Sequence, residues 1–364
     1  VGTHIDRCLG CRACETACPS GVPYGQLLEA TRATMAAARP QPWLGRFVLT
    51  VFSHPVLLGA ALVGARLFRA TGVPRLLARL PGRAGFANAM LAASSPVLPP
   101  RDAPPRPADA PPRARTAVLL GCVMEGLFAH TNRATERVLA TNGYRLVEAP
   151  GQGCCGALHA HAGDLEGARA LARRNVAAFD REEIEAIAIN AGGCGAMVKE
   201  YAHLLHDEPA WAERAARVAA KARDVSELLA AAGPRPATLP ATGSGPLRVT
   251  YDPPCHLMHA QRITREPMAV LGAIGGITHV PLPDADQCCG SAGIYNLIEP
   301  ETSDAVLAPK LAAIAGTEAR WVVTGNPGCL MQIGAGLLQQ GSATRALHPI
   351  DLLDAAYAAG PAAT

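Results

Sequence analysis

Helical periodicity runs from Tyr24 to Ala38, where good helix formers (Gln26, Leu27, Leu28, Glu29) precede Pro40 and Pro42, which end it. The most apolar run of the chain follows, from Val48 to Phe68. Ser53, His54 and Pro55 interrupt it, and the clean apolar part after Pro55 is only about ten residues, short of the ~20 that span a bilayer. The run reads first as a buried core helix, with a helix facing a partner or a membrane as the alternative. Arg66, Arg69, Arg75, Arg79 and Arg83 come close behind, and they suit an anionic membrane surface or an ordinary solvated face. Pro96 to Pro112 is Pro-rich with little periodicity and reads as a linker. A second break, Gly233 to Gly245, divides what remains in two.

Those two parts repeat one pattern. In the first, Thr116–Leu120 is strand-like and leads to Cys122, Ala129–Thr141 is helical, and Tyr144–Glu148 is strand-like before Gly153-Cys154-Cys155-Gly156. Ile187–Asn190 then leads into Gly192-Gly193-Cys194-Gly195. In the second, Leu247–Tyr251 runs to Cys255, Glu266–Ile274 is helical, and Ile277–Leu282 precedes Gln287-Cys288-Cys289-Gly290. Trp321–Thr324 leads into Pro327-Gly328-Cys329. Matching cysteines stand 133, 134, 134 and 135 residues apart, the mark of a duplicated unit. Strands alternating with helices predict two parallel α/β domains, with ligands outside the carboxyl ends of the strands. Each domain should therefore gather four thiols at one sheet edge: Cys122, Cys154, Cys155 and Cys194, then Cys255, Cys288, Cys289 and Cys329. Sulfur-only ligation points to an iron–sulfur cluster or zinc, while a dithiol redox centre and buried unreactive thiols stay open.

The remaining cysteines stand near the start, as Cys8, Cys11, Cys14 and Cys18-Pro19, with C-x2-C-x2-C-x3-C-P spacing. This is the ferredoxin run that holds a 4Fe–4S cube: short spacings wrap the backbone round one corner, and the fourth cysteine serves another cluster. Zinc is the alternative, although zinc sites usually use two separated C-x2-C pairs. Disulfides fit tightly spaced cysteines in a large chain poorly. No companion run follows and the sequence opens on Val1, so a companion motif is expected upstream.

Composition changes this picture little. Net charge over 364 residues is +3, Lys is confined to positions 199, 221 and 310, and nothing argues for nucleic acid. Twelve cysteines confined to a few motifs point to a reducing compartment. No Gly-rich dinucleotide loop stands in context, and no nucleophile–base constellation marks a self-contained hydrolase. His159, His161, His256 and His259 follow repeat cysteines; they could bond cluster sulfurs or shuttle protons, or be ordinary surface or interior residues. Lys199 and Glu200, just past Cys194, either offset charge at the site or sit on a solvated face.

The run Cys8–Pro19 with two cysteine-rich "CCG" domains resembles the iron–sulfur subunits of bacterial glycolate oxidase, in a group that includes heterodisulfide reductase and lactate-oxidising subunits. The resemblance rests on Arg7-Cys8-Leu9, Cys14-Glu15-Thr16, Cys18-Pro19-Ser20-Gly21-Val22, the stretch from Gly193 to Tyr201, the stretch from Cys288 to Gly293, and Asn326-Pro327-Gly328-Cys329. It implies an all-α ferredoxin-like part over 1–40, a helical apolar segment over 41–95 and a linker over 96–115. A first CCG domain over 116–232, a linker over 233–246 and a second CCG domain over 247–360 complete the division. It further implies 4Fe–4S clusters, two of them ferredoxin-type, with CCG sites for more. All twelve cysteines would then bind cofactor, with Cys8, Cys11, Cys14 and Cys18 as metal ligands and no catalytic residue. The partners implied are flavoprotein subunits oxidising glycolate to glyoxylate, with a quinone or the membrane surface beyond them. The place implied is the cytoplasm, peripheral to the inner face of the membrane. Lactate, glycerol 3-phosphate or heterodisulfide chemistry is the alternative, and a zinc-organised interaction module the alternative of another class. The wider CCG pattern ends in C-x2-C, but Ala191 and Asn326 occupy the first of those positions here, leaving four thiols per site instead of five.

Overall fold

The structure, a computed structural model, describes residues 2–38, 42–105, 112–240 and 245–359. Val1, Pro40, residue 360 and parts of both linkers (106–111 and 241–244) lie outside the described residues.

The α/β part is built twice on one plan. Arg115–Val118 (β1), Arg145–Leu146 (β2), Ala186–Ile189 (β3) and Ala222–Asp224 (β4) form a parallel sheet in the order β2-β1-β3-β4. Leu247–Tyr251 (β5), Ile277–His279 (β6), Trp321–Val323 (β7) and Arg345–Leu347 (β8) form a second in the order β6-β5-β7-β8. The two orders are equivalent, as duplication requires. Parallel neighbours need crossovers, and helices such as Ala129–Thr141, Leu165–Phe179 and Pro300–Gly316 supply them. Both faces of β3 are covered, so Ala-Ile-Ala-Ile is buried throughout and does not alternate. β4 and β8 are edge strands of three residues bearing Arg or Asp, which leaves no apolar run to see in the sequence.

The two copies share a core. Val118, Val138 and Leu139 cluster with Val249, Val270 and Leu353. Arg137 makes two bonds to the Asp354 carboxylate, at 3.0 and 2.8 Å, both side chains buried. The second linker carries structure: Ala237–Thr238 pairs with Ile274–Gly275.

The N-terminal region is helical, and Tyr24–Ala38 forms as the periodicity predicts. The reading of Val48–Phe68 as a buried core helix is corrected. The chain is extended at His54 (φ −107°, ψ 109°), as a residue before proline prefers, and the helices Trp43–Ser53 and Pro55–Ala70 meet at 105°. No residue of Pro55–Ala70 is fully buried. Only Leu58, Leu62, Ala65 and Arg69 are half-buried, a stripe at helical spacing whose Leu62 packs on Gly126. No single described helix is long and apolar enough to cross a membrane. Gly82–Ala93 closes the region by packing on Pro327–Gln339 through the fully buried Ala89 and Ala335.

Candidate functional site

In each sheet the chain crosses from the second strand over the first to reach the third, opening a crevice at the carboxyl ends where that reversal occurs. Every repeat cysteine follows one of those ends. Cys122 comes after β1, Cys154-Cys155 after β2 and Cys194 after β3, with Cys255, Cys288-Cys289 and Cys329 placed alike after β5, β6 and β7. Within each copy the thiols form a hydrogen-bonded row. Cys122 donates to Cys154, which also accepts from Cys155, and Cys155 lies 3.2 Å from Cys194. The second row runs Cys255, Cys288, Cys289, Cys329, with the last two sulfurs 3.3 Å apart.

This row polarises its members. Cys154 and Cys288 are held well below the ordinary thiol range because thiols on both sides donate to them; burial opposes this, while the glycine amide after each pair assists. Cys122, Cys155, Cys255 and Cys289 are pushed up by donating those bonds and by burial. Each copy thus sets one thiol drawn down, Cys154 or Cys288, between two neighbours pushed up. The glycine is required by conformation as well. Gly156 (φ 90°) and Gly290 (φ 86°) are left-handed, and a Cβ there would stand 3.1 Å from the carbonyl oxygen of Ala168 and 2.6 Å from that of Ser303.

The supports beneath the two rows differ. In the first copy Asn175 accepts from the Gly153 amide at 2.8 Å and donates to the Cys154 carbonyl at 2.9 Å, while Tyr201 donates to the Cys155 carbonyl. In the second, buried Lys310 donates to the carbonyls of Asp284 and Ala285 and lies 3.0 Å from the Asp252 carboxylate, which accepts from Thr324. Asn326, where a further cysteine could stand, donates to Cys329 Sγ at 3.5 Å and accepts the Gly193 amide from the other copy. The sequence carries no signal for Asn175 or Lys310, since neither belongs to a cysteine motif.

The N-terminal run lies against both copies. Cys8, Cys11 and Cys14 are close enough to bear on one another's charge; burial, with Cys288, Cys8 and Cys14 beside it, pushes the Cys11 thiol up. Cys18 faces the amides of Val22, Ser20 and Gly21, which draw its pKa down. Cys14 is exposed. The four histidines after the repeat cysteines touch this N-terminal region, and no sulfur contact is among their hydrogen bonds. His159 bonds Ser53 and the Leu49 carbonyl, His161 bonds Glu29, His256 bonds the Gly10 carbonyl and His259 bonds Thr16. Glu200 takes Arg12 and Lys199 takes Glu227, so both are ion-paired.

The expectation of 4Fe–4S clusters and metal ligation is corrected by this placement. Among the described residues no group of three or more Cys, His, Asp or Glu is arranged to hold a metal ion. The distances give the reason. Thiolates about 2.3 Å from a tetrahedral ion stand about 3.8 Å apart, and a cube spreads them further. Here thiols touch at 3.2 and 3.3 Å, bonded to each other. The zinc alternative meets the same geometry. All twelve cysteines are free thiols.

A family model described as "Cysteine-rich domain" matches residues 116–199 and 249–334, the segments that carry the two rows. A probable glycolate oxidase iron–sulfur subunit of Bacillus subtilis is 39% identical over 371 residues, covering 97% of this chain and 82% of that protein. The chain belongs to the glycolate oxidase iron–sulfur subunit family. A second member, the glycolate oxidase iron–sulfur subunit of Escherichia coli, is 34% identical over 334 residues, covering 90% of this chain and 76% of that one. The lactate utilization protein A of Oceanobacillus iheyensis is 28% identical over 243 residues, 66% of this chain. Membership in the family makes this an iron–sulfur electron-transfer subunit of an oxidoreductase complex. The family fixes that role, and the correction concerns the particular cubes expected on these thiols as placed.

Proposed function

We propose that the chain carries electrons, without itself catalysing the oxidation, between flavoprotein subunits that oxidise glycolate to glyoxylate and a quinone at the inner face of the membrane. One observation carries this reading. Two rows of four cysteines stand at equivalent sheet ends, and the N-terminal run brings Cys11 beside Cys288. The twelve cysteines are the residues that serve transfer in this reading. The substrate is that of the Bacillus subtilis and Escherichia coli glycolate oxidase subunits, to which the chain is 39% and 34% identical. The lactate-utilisation relatives are less similar and cover less of the chain.

The test is reconstitution. The purified chain should give no glycolate-dependent reduction of a soluble quinone analogue, and should support it once the flavoprotein subunits are added. Cys154→Ser and Cys288→Ser should each lower that rate at least tenfold, while the flavoprotein's direct reduction of a dye is unchanged. Turnover by the chain alone, or a preference for lactate over glycolate in the reconstituted complex, would overturn the proposal.

A further inference from the structure

Large apolar side chains are exposed in one region above all. Of 12 such residues exposed among those described, 10 lie between Trp43 and Leu80, Trp43 at 76% and Val56 at 83% exposure. They are not scattered, as single surface hydrophobics usually are. Pro55–Ala70 rests on the molecule through one stripe and turns the rest of its surface outward, and a Cβ on Gly59 or Gly64 would meet nothing within 4 Å. Its 16 residues make a rod of about 24 Å, shorter than the ~30 Å hydrocarbon core, and it ends in a bend at His54. Such a helix can lie in a bilayer surface but cannot cross it.

Charge selects the occupant. From Pro40 to Pro100 the sequence contains no Asp or Glu, but it contains Arg46, Arg66, Arg69, Arg75, Arg79 and Arg83. All but Arg69 are exposed. Arg69 is turned inward onto the carbonyls of Ser94 and Leu127. A protein partner would require an apolar face ringed by acidic residues. An anionic phospholipid leaflet supplies both features over any area, and arginine stems can lie along the apolar layer with their heads among phosphates. We propose that the bent pair Trp43–Ser53 and Pro55–Ala70, with the arginines through Arg83, is an in-plane docking surface for an anionic bilayer. This deepens the location given above and rests on none of the glycolate chemistry.

Flotation of the full chain with vesicles of 30% phosphatidylglycerol in phosphatidylcholine tests it. Binding is expected at low salt, weaker at high salt, and weak on phosphatidylcholine alone. Arg75→Gln, Arg79→Gln and Arg83→Gln together should weaken partitioning on the order of a hundredfold. Trp43 emission should shift to the blue on vesicles, and Trp43→Phe should remove that shift while leaving flotation and the thermal unfolding midpoint intact. Reconstituted turnover with a soluble quinone analogue should persist in the arginine variant, so failure here and failure of the electron-transfer reading are separable. The proposal is overturned by a chain that ignores anionic vesicles, by arginine variants that bind as wild type, or by a dimer or flavoprotein complex that covers Trp43 and excludes vesicles.

Discussion

His348 and Asp351 stand three residues apart, and burial drives them in opposite senses. The His348 ring accepts the Ile350 amide on Nδ1 and donates from Nε2 to the Asn190 carbonyl of the other copy, so it must be neutral, and burial holds it at about 4. Asp351, accepting from Thr131 and with His130 3.6 Å away, is raised to about 7 by the same burial. A depressed histidine contributes stability that is full above its unfolded value of 6.5 and lost as pH falls through about 4. A raised carboxyl contributes stability that is full below 3.8 and lost as pH rises through about 7. Across pH 4 to 6.5 they oppose, each on the order of 3 kcal/mol. Asp351→Asn removes one side of the balance. The urea midpoint of that variant should fall more steeply from pH 6.5 to 4.5 than in wild type, and parallel profiles would refute the pairing. Neither residue is legible as special in the sequence, because the burial that shifts them comes from the opposite copy.

At the level of elements, the motif cysteines were legible because their offsets repeat, and the main strands because their apolar runs are distinct. The glycine after each cysteine pair was also visible, and the structure supplies its reason: a left-handed turn pressed on the following helix. Gly290→Ala should cost roughly 1–3 kcal/mol from strain and the collision with Ser303, and Gly156→Ala less, its neighbour lying farther off. Thermal unfolding measures the cost, and native-state thiol titration should show faster labelling of Cys288 and Cys289. An unchanged melting curve for Gly290→Ala would sink this account. The edge strands β4 and β8 were hidden by their length, and Val48–Phe68 misled because apolar composition cannot say whether a helix faces a core or the outside.

Across the whole molecule, the duplication was readable but the union of the copies was not, since a core shared by distant residues leaves no local pattern. Arg137→Met would leave Asp354 buried with only partly exposed Arg101 as partner, at a loss of about 3 kcal/mol. Trp211 lies in the first copy and Trp321 in the second, so single-tryptophan variants can report each separately. Both signals should share one midpoint, lowered together by Arg137→Met. Two resolved transitions would show that the copies unfold independently.

The histidines from both copies that hold the N-terminal region have a consequence for how the chain is made. Cys8 through Cys18 leave the ribosome ahead of both copies, yet the surface that receives the N-terminal region includes His161 from one copy and His256 from the other, their rings 5.0 Å apart. Neither copy offers that surface before they meet. A segment made ahead of both copies is therefore seated only after the two have met.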